Sequence, residues 1–329
     1  MPLPLAPYPE QHRARDRIEN AHRIFGAPQG LALWHLASLD APTVATVWSL
    51  AFAWAGRVHL PLWMPVLLAL AAWSVYVADR LLDARVGLLE PARHTLRARH
   101  RFHWRYRRAL VPMAIAAACA ATAIILTLMP PMVRERNSVL AAAALAYFSG
   151  VHWGHSARQF SLRWPRFFPG KEFLVGLLFT AWCVLPAWHR PDAQAAPGAT
   201  TWVFWIPAAT FAALAWLNCS CITRWESMGE SREAQLASAK DKFRNRQWEP
   251  SAIFFASILL ACGAFIFTAA GAAAHPRPAA LLAAGAASAL LLALLDLMRA
   301  RFSALALRAA ADLVLLTPLA LFAFAWALR

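Results

Sequence analysis

Charged residues are scarce in this sequence, and acidic residues are scarcer than basic ones. Charged side chains make up 15% of the 329 residues and hydrophobic types 60%, with 32 Lys and Arg against 17 Asp and Glu. Disordered chains combine low hydrophobicity with high charge density, so this composition excludes that class. The many apolar runs of about 20 residues also argue against a basic nucleic-acid-binding domain. We therefore expect a membrane protein whose basic surplus lies in its loops.

The sequence has few cysteines, and we find neither a signal-peptide pattern nor an internal repeat. The cysteines lie in or beside apolar segments, and they form no pattern with histidine that suggests a tetrahedral metal site. They are Cys119, Cys183, Cys219, Cys221 and Cys262. Residues 1–34 contain no apolar stretch typical of a signal peptide and are predicted to be a cytosolic lead-in. We find no half-to-half repeat of the kind that many transporters carry.

The apolar segments predict an all-α, polytopic membrane protein with nine transmembrane helices. A helix needs about 20 mostly apolar residues to cross the hydrocarbon core of a bilayer. Nine segments come close to that length, and residues 35–329 are predicted to form a single transmembrane domain. The segments are residues 35–56, 62–82, 109–129, 137–153, 172–188, 200–222, 251–274, 277–297 and 304–328.

The distribution of Lys and Arg supports this number of helices and predicts an orientation. Cytosolic loops of membrane proteins are enriched in basic residues. With a cytosolic amino terminus, nine crossings place 26 of the 32 basic residues inside and 6 outside. We therefore predict a multi-pass protein of the inner or plasma membrane with its carboxyl terminus outside.

Oxygen ligands lie at the cytosolic ends of the second and sixth predicted helices. Asp79 and Asp83 are four residues apart and share one helix face. Asn218 and Glu226 are eight residues apart on helix six, about 12 Å of helical rise. Oxygen ligands without His or Cys suit a hard cation such as Mg²⁺, which usually binds one or two carboxylates together with substrate phosphates.

Basic loops follow both sets of ligands, over residues 84–108 and 227–250. Arg and Lys beside a metal-carboxylate cluster suit a diphosphate, because the metal bridges its oxygens and the basic groups neutralise the remaining charge. The alternative is that these are ordinary positive-inside loops, with Asp79 and Asp83 paired to Arg80 or Arg85 at the interface. The coincidence on two helices favours the diphosphate site.

The stretch VYVADRLLD resembles the first acidic motif, NDxxDxxxD, of the UbiA superfamily of intramembrane prenyltransferases. Asp79 and Asp83 match its last two acids, whereas Val75 and Tyr76 stand where Asn and Asp are usual. The resemblance covers nearly the whole chain from SLDAPTVATVW onward. It implies a bundle of nine helices with a cytosolic cap formed by loops 84–108 and 227–250.

The stretch NCSCITRWE resembles the second motif of that superfamily, in which acids follow an Asn by four and eight residues. Asn218 and Glu226 match, and Ile222 replaces the middle acid. In a second register, Glu226 and Glu230 form the four-spaced acidic pair. Asp79, Asp83, Asn218, Glu226 and Glu230 are therefore the predicted metal ligands, and the first four are also the predicted catalytic residues.

The resemblance implies Mg²⁺-dependent ionisation of an isoprenyl diphosphate of C10 to C20 or longer, with prenyl transfer to a lipophilic, aromatic acceptor. Basic groups stabilise the departing diphosphate, and aromatic faces in a dry cavity stabilise the allylic cation. The predicted diphosphate-binding residues are Arg80, Arg97, Arg101, Lys171, Arg224, Lys240 and Lys242. The predicted pocket residues are Trp73, Tyr76, Trp153, Trp182, Phe211, Trp216 and Trp225.

The sequence also fits other functions, and three polar residues within the predicted helices have separate interpretations. The same family includes terpene cyclases, which return the cation to the prenyl chain itself. A transporter or a non-catalytic lipid-binding protein is a lower-ranked alternative. Arg308 and Asp312, four apart on helix nine, are predicted to form an internal ion pair. Asp40 is interpreted as a residue that orients a basic loop or caps part of the first helix.

Overall fold

The fold is described from a computed structural model of the full chain, in residues 26–89, 97–139, 141–142, 171–188, 204–236 and 251–327. Within these residues the structure is helical and contains no strand, which confirms the predicted all-α class. The helices are α1 (Gln29–Leu36), α2 (Asp40–Ala55), α3 (Trp63–Leu89), α4 (Ala98–Arg105), α5 (Arg107–Leu128), α6 (Lys171–Trp188), α7 (Ile206–Leu236), α8 (Ala252–Gly271), α9 (Pro276–Met298), α10 (Ala304–Leu313) and α11 (Pro318–Ala327).

Six helical spans among the described residues are long and apolar enough to cross a membrane, or seven if α1 and α2 form one bent span. The six begin at Trp63, Arg107, Ile206, Ala252, Pro276 and Ala304. α6 is a shorter apolar helix, and the predicted fourth segment, 137–153, lies largely outside the described residues. A multi-pass membrane protein is thus supported at the level of its apolar helices.

The predicted first span is interrupted. α1 ends at Leu36, α2 begins at Asp40, and the two helices meet at an angle of 88°. Ser38 between them has φ 56°, in the left-handed region that L-residues rarely adopt. Hydropathy does not reveal this break, because it is averaged over a whole apolar segment and a helix can stop within a few residues of that segment. The prediction of one continuous helix over 35–56 is therefore wrong.

Two helices continue well past their predicted ends. α3 extends to Leu89 and α7 to Leu236, so both enter the stretches that were expected to be loops. Residues 98–105 of the first predicted loop form α4. Hydropathy reports the apolar length of a segment, whereas Glu, Arg, Leu and Ala sustain helical hydrogen bonding beyond the apolar part.

The core lies where α2, α6, α7 and α9 pack together. Trp48 and Phe211 stack at its centre with ring centroids 3.9 Å apart, and Trp48 Nε1 donates to the Leu315 carbonyl at 2.8 Å. In the apolar part of α9, 61% of the residues are buried, whereas the corresponding share is 17% in α5 and in α8. α9 is therefore central, and α5 and α8 present most of their surface outward, toward lipid in a bilayer protein.

Candidate functional site

Charged side chains gather at one end of the bundle, where α4 contacts α1, α3 and α5. This polar end includes Asp79 and Asp83 of α3, Glu226 of α7, Arg308 of α10 and the first turn of α5. It is the end at which sequence analysis placed both sets of oxygen ligands. α4 supplies basic side chains to both of the helices that carry predicted acids.

The predicted acids of α3 have basic neighbours. Asp79 Oδ2 lies 3.0 Å from Arg80 Nη1, and Asp83 Oδ2 lies 3.5 Å from His100 Nε2 on α4. The side chains of Asp79 and Asp83 are 31% and 40% exposed, so both carboxylates are accessible to an ion or substrate. The contact with Arg80 is the one expected under the alternative interpretation, whereas His100 was not anticipated.

Three arginines converge on Glu226 of α7. Arg97 Nη1 lies 2.5 Å from Glu226 Oε2, Arg308 of α10 forms a shorter ion pair with Oε1, and Arg99 is 4.0 Å from the same oxygen. Arg99 and Arg308 are each 11% exposed at the side chain. The arrangement concentrates positive charge around a single carboxylate at a partly desolvated position.

Burial and this concentration of positive charge shift the pKa values of two side chains on α4. Burial, followed by the proximity of Arg80, lowers the pKa of the Arg99 guanidinium to about 9, although Glu226 opposes the shift. Burial and the charges of Arg99, Arg80 and Arg97 lower the pKa of His100 to about 3. At neutral pH Arg99 remains charged and His100 is neutral, so the site has a positive potential that attracts anions.

His103 fixes α4 against the break between α1 and α2. Its Nδ1 lies 2.9 Å from the Arg99 carbonyl, which can only accept, so Nδ1 carries the proton. Nε2 then accepts from the Ser38 hydroxyl at 3.2 Å. Burial lowers the pKa of His103 and keeps the ring neutral. The strained Ser38 backbone and the position of α4 are thus coupled through one hydrogen-bonded ring.

A second polar cluster lies deeper and joins α1, α2, α7 and α10. His35 Nδ1 is 2.7 Å from Asp40 Oδ2 and 3.4 Å from Asp312 Oδ2, and Asn218 Nδ2 donates to Asp312 Oδ1 at 3.1 Å. The predicted ion pair between Arg308 and Asp312 is wrong, because Arg308 pairs with Glu226. Side chains four apart on α10 diverge here because each finds a closer partner on another helix.

The cluster of His35, Asp40 and Asp312 is also the one group of three potential metal ligands, among the described residues, whose donor atoms lie within 4.8 Å of one another. The predicted ligands Asp79, Asp83, Asn218 and Glu226 do not form such a group. Asn218 instead contacts Asp312, and Glu226 contacts arginines. The second register of the acidic motif depends on Glu230, whose side chain lies outside the described residues.

Several predicted pocket aromatics serve in packing. Phe211 is fully buried in the stack with Trp48, and Trp225 donates from Nε1 to Asp296 Oδ1 at 2.8 Å. Trp73 donates to the Ala37 carbonyl at 3.0 Å, and Trp182 packs against the core. These four rings are held in the bundle by hydrogen bonds, stacking or core packing.

Tyr76 and Trp216 have different surroundings. The Arg80 guanidinium carbon lies 5.5 Å from the centroid of the Tyr76 ring, so this aromatic is part of the polar end. Trp216 lines an apolar groove of about 430 Å³ between α7 and α8, with Leu217, Leu259 and Phe267 among its neighbours. Of the six predicted aromatics that the structure describes, these two border the polar end and the apolar groove, respectively.

Some of the remaining predicted residues lie in the described part of the chain, and others lie outside it. Arg101 is half-buried on α4, and Arg224 is half-buried on α7. Four predicted positions, or their side chains, lie outside the described residues. They are Trp153, Lys171, Lys240 and Lys242.

Sequence reasoning missed the residues that link one helix to another. Arg99 and His100 were counted only as part of a basic loop, and His35 was not singled out. The available signal was the rule that ionisable residues within apolar segments mark functional positions. It applied to Asp40 and Asp312, but their partnership with His35 requires the bend between α1 and α2.

Comparison with protein-family models, curated proteins and solved structures finds no match to this chain.

Proposed function

We propose that this protein is an intramembrane prenyltransferase that transfers the prenyl group of an isoprenyl diphosphate to a lipophilic acceptor. The proposal includes nine membrane-spanning helices, a cytosolic amino terminus and a cap contributed by residues 84–108 and 227–250. The observation that carries it is the convergence of Arg97, Arg99 and Arg308 on Glu226, beside the acids of α3.

The arginine cluster suits a diphosphate. Guanidinium groups bind phosphate oxygens through two parallel hydrogen bonds, and such charge-assisted bonds are stronger where water is partly excluded. Two of the three arginines are largely buried. Arg99 lies on α4, and Arg97 directly precedes that helix as its N-cap residue. As the carbon–oxygen bond of the substrate breaks, these fixed positive charges stabilise the negative charge that develops on the diphosphate.

The acids of α3 fit a hard cation. Asp79 and Asp83 present oxygen donors from one helix face, and both are partly exposed. Mg²⁺ is commonly held by one or two carboxylates and by substrate phosphates, a requirement that this pair meets. When bound, Mg²⁺ supplies Lewis-acid activation of the diphosphate. Arg80 and His100 orient the two carboxylates in the structure and would exchange that contact for the ion.

The apolar groove between α7 and α8 offers a place for a prenyl chain. Its volume of about 430 Å³ lies in the range of small-molecule pockets. Trp216 and Leu217 line it and immediately precede Asn218 on α7. Aromatic and apolar side chains along this groove suit both an isoprenoid tail and a transient carbocation.

The test is release of diphosphate by purified protein in nanodiscs supplied with C10, C15 or C20 isoprenyl diphosphate. We expect Mg²⁺-dependent release by the wild type, loss upon EDTA treatment, and at least a 100-fold lower rate in Asp79→Asn and Asp83→Asn, because each removes a charged ligand. Glu135→Gln, an exposed acid distant from the polar end, is the matched control and is expected to retain the wild-type rate.

The products distinguish the remaining alternatives. Release that requires an added quinone precursor or phenol supports the transferase. A cyclic hydrocarbon or alcohol formed without acceptor, detected by mass spectrometry of hexane extracts, would instead assign a terpene cyclase. Full activity in both aspartate variants would overturn the metal assignment, and intact diphosphate under all conditions would favour a non-catalytic lipid-binding protein or a transporter.

A further inference from the structure

We propose that His35, Asp40 and Asp312, together with Asn218, form a binding site for a divalent transition-metal ion such as Zn²⁺ or Mn²⁺. The site is distinct from the proposed Mg²⁺ position at Asp79 and Asp83 and does not depend on the proposed function. It lies within the bundle, and its residues come from four helices.

The donor atoms of His35, Asp40 and Asp312 lie within 4.8 Å of one another, close to the spacing of ligands on one ion. Ligands bonded to a metal at about 2.0–2.2 Å lie roughly 3.0–3.5 Å from one another in tetrahedral or octahedral geometry. His35 Nδ1 and Asp312 Oδ2 are 3.4 Å apart, which falls in that range. His35 Nδ1 and Asp40 Oδ2 are 2.7 Å apart, so this pair has to separate by less than about 1 Å.

The imidazole is buried without a well-formed hydrogen bond. His35 is 5% exposed, and neither ring nitrogen has a partner of acceptable geometry among the described residues, despite the short distance from Nδ1 to Asp40. The carboxylates therefore lie to the side of the Nδ1 axis. Carboxylates placed around that axis, instead of along it, leave room for an ion on the nitrogen lone pair.

Asn218 supplies a second unsatisfied group at the same place. It is 5% exposed, and its Oδ1 has no hydrogen-bond partner in the described part of the chain. Its Nδ2 lies 3.1 Å from Asp312 Oδ1. The terminal torsion of Asn is close to two-fold, so a half-turn puts the amide oxygen at that distance, which is the separation of two ligands on one cation.

The mixture of donors selects the class of ion. Imidazole suits Zn²⁺ and related transition ions and carboxylates suit Mn²⁺, whereas Mg²⁺ and Ca²⁺ prefer oxygen ligands alone. Two carboxylates close together, of which Asp40 is buried and Asp312 is half-buried, also require compensating positive charge, which an ion would provide. Three protein ligands and an amide oxygen complete a coordination number of four without contributions from elsewhere.

The ion would hold the broken first span in place. His35 lies one residue before the end of α1, and Asp40 is the first residue of α2, so both flank the left-handed Ser38. Asp312 fixes this junction to α10, and Asn218 connects it to α7. Metal binding would therefore stabilise the folded bundle, because the four ligands converge only when these helices are packed.

The experiment measures metal bound by full-length protein in nanodiscs after removal of any affinity tag and of all metal with chelator. The protein is then incubated with Zn²⁺, Mn²⁺ or Mg²⁺ alone, desalted and analysed by mass spectrometry of the elements. We expect about one equivalent of Zn²⁺ or Mn²⁺ and none of Mg²⁺ at this site. His35→Gln and Asp312→Asn are expected to bind it more than about 100-fold more weakly.

Two controls separate this site from other sources of binding. His59→Gln removes an exposed histidine near the opposite end of the bundle, and Asp83→Asn alters the proposed Mg²⁺ position; both should retain the tight ion. X-ray absorption of the Zn²⁺-loaded wild type should show one imidazole in an otherwise oxygen shell, a measurement that does not depend on any variant. Absence of tight Zn²⁺ and Mn²⁺, a shell without imidazole, or undiminished binding in His35→Gln would overturn the proposal.

Discussion

At the scale of single residues, the polar end holds charged and titratable side chains in largely buried positions. Arg99 and His100 are adjacent on α4, and each is 11% exposed at the side chain. Arg99 approaches Glu226 of α7, and His100 approaches Asp83 of α3. Consecutive residues of one short helix thus contact both of the helices that carry the predicted acidic motifs.

His100 predicts a dependence of stability on pH. Burial and neighbouring arginines lower its pKa to about 3, against an ordinary value of 6.5 in the unfolded chain. As pH falls below 6.5 the unfolded state therefore binds a proton that the folded state does not, and folding loses free energy. The loss reaches about 2 kcal/mol near pH 5. The measurement is the decrease in Tm between about pH 7 and pH 5 in detergent.

The variant His100→Gln keeps a hydrogen-bonding side chain next to Asp83 but cannot take up the proton. We expect its Tm to fall less steeply with acidification than that of the wild type. His59→Gln, at an exposed histidine, should show the wild-type slope. Equal slopes in His100→Gln and the wild type would show that His100 titrates normally in the folded protein.

The residue types of the polar end could be predicted, but their partners could not. Composition and position identified Asp79, Asp83 and Glu226 as functional candidates. The predicted partner of Asp312 was Arg308, four residues earlier on the same helix, because sequence shows only neighbours along the chain. Asp312 instead contacts His35, which is distant in sequence and reaches it through the bend after Leu36.

At the scale of helices, the close packing of α6 on α7 depends on Gly176. A Cβ atom built at this position would lie 2.8 Å from the Trp216 nitrogen and 3.1 Å from the Ala212 carbonyl oxygen. Both are backbone atoms of α7, which cannot move aside as a flexible side chain would. Small residues at helix interfaces permit such close approach in membrane proteins.

Gly176→Ala is therefore expected to force α6 and α7 apart and to destabilise the protein by about 1–3 kcal/mol. The measurement is the thermal or denaturant midpoint of purified protein. The matched control is Gly263→Ala on α8, where a Cβ meets nothing within 4 Å. The control should be neutral or stabilising by up to about 1 kcal/mol, since Gly weakens a helix interior relative to Ala. Equal midpoints for both variants would contradict this account of the α6–α7 contact.

The helices themselves were predicted in outline, and their ends were not. Apolar length located α5, α8 and α9 to within a few residues. It missed the continuation of α3 and α7, and it joined α1 to α2. Helix ends depend on local hydrogen bonding, such as the Ser251 hydroxyl that accepts from the Ile253 and Phe254 N–H groups at the start of α8. Such contacts leave little trace in an average over an apolar segment.

At the scale of the whole molecule, the basic residues predict which ends of the helices face the cytosol. Arg108, at the start of α5, lies at the polar end and is exposed. Arg277 is exposed at the start of α9. Positive residues are retained on the cytosolic side, so the polar end is predicted to face inward.

The test is labelling of Arg108→Cys and Arg277→Cys by a membrane-impermeant maleimide. We expect Arg277→Cys to react in intact cells and Arg108→Cys to react only in inside-out vesicles. Wild-type protein provides the background, because Cys119 and Cys262 are exposed on the protein surface and are expected to be shielded by lipid. The reverse pattern would invert the orientation, and labelling of both positions from one side would contradict the helix count.

The sequence by itself determined the helical class, the multi-pass apolar character and the surplus of basic over acidic residues. These properties follow from composition and apolar length, which are summed along the chain. Only the tertiary structure decided that Arg97, Arg99 and Arg308 meet at Glu226, and that His35, Asp40 and Asp312 form one cluster. Each group draws its members from three helices, and the contacts depend on a bend at Ser38 and on close helix packing that no local pattern of residues records.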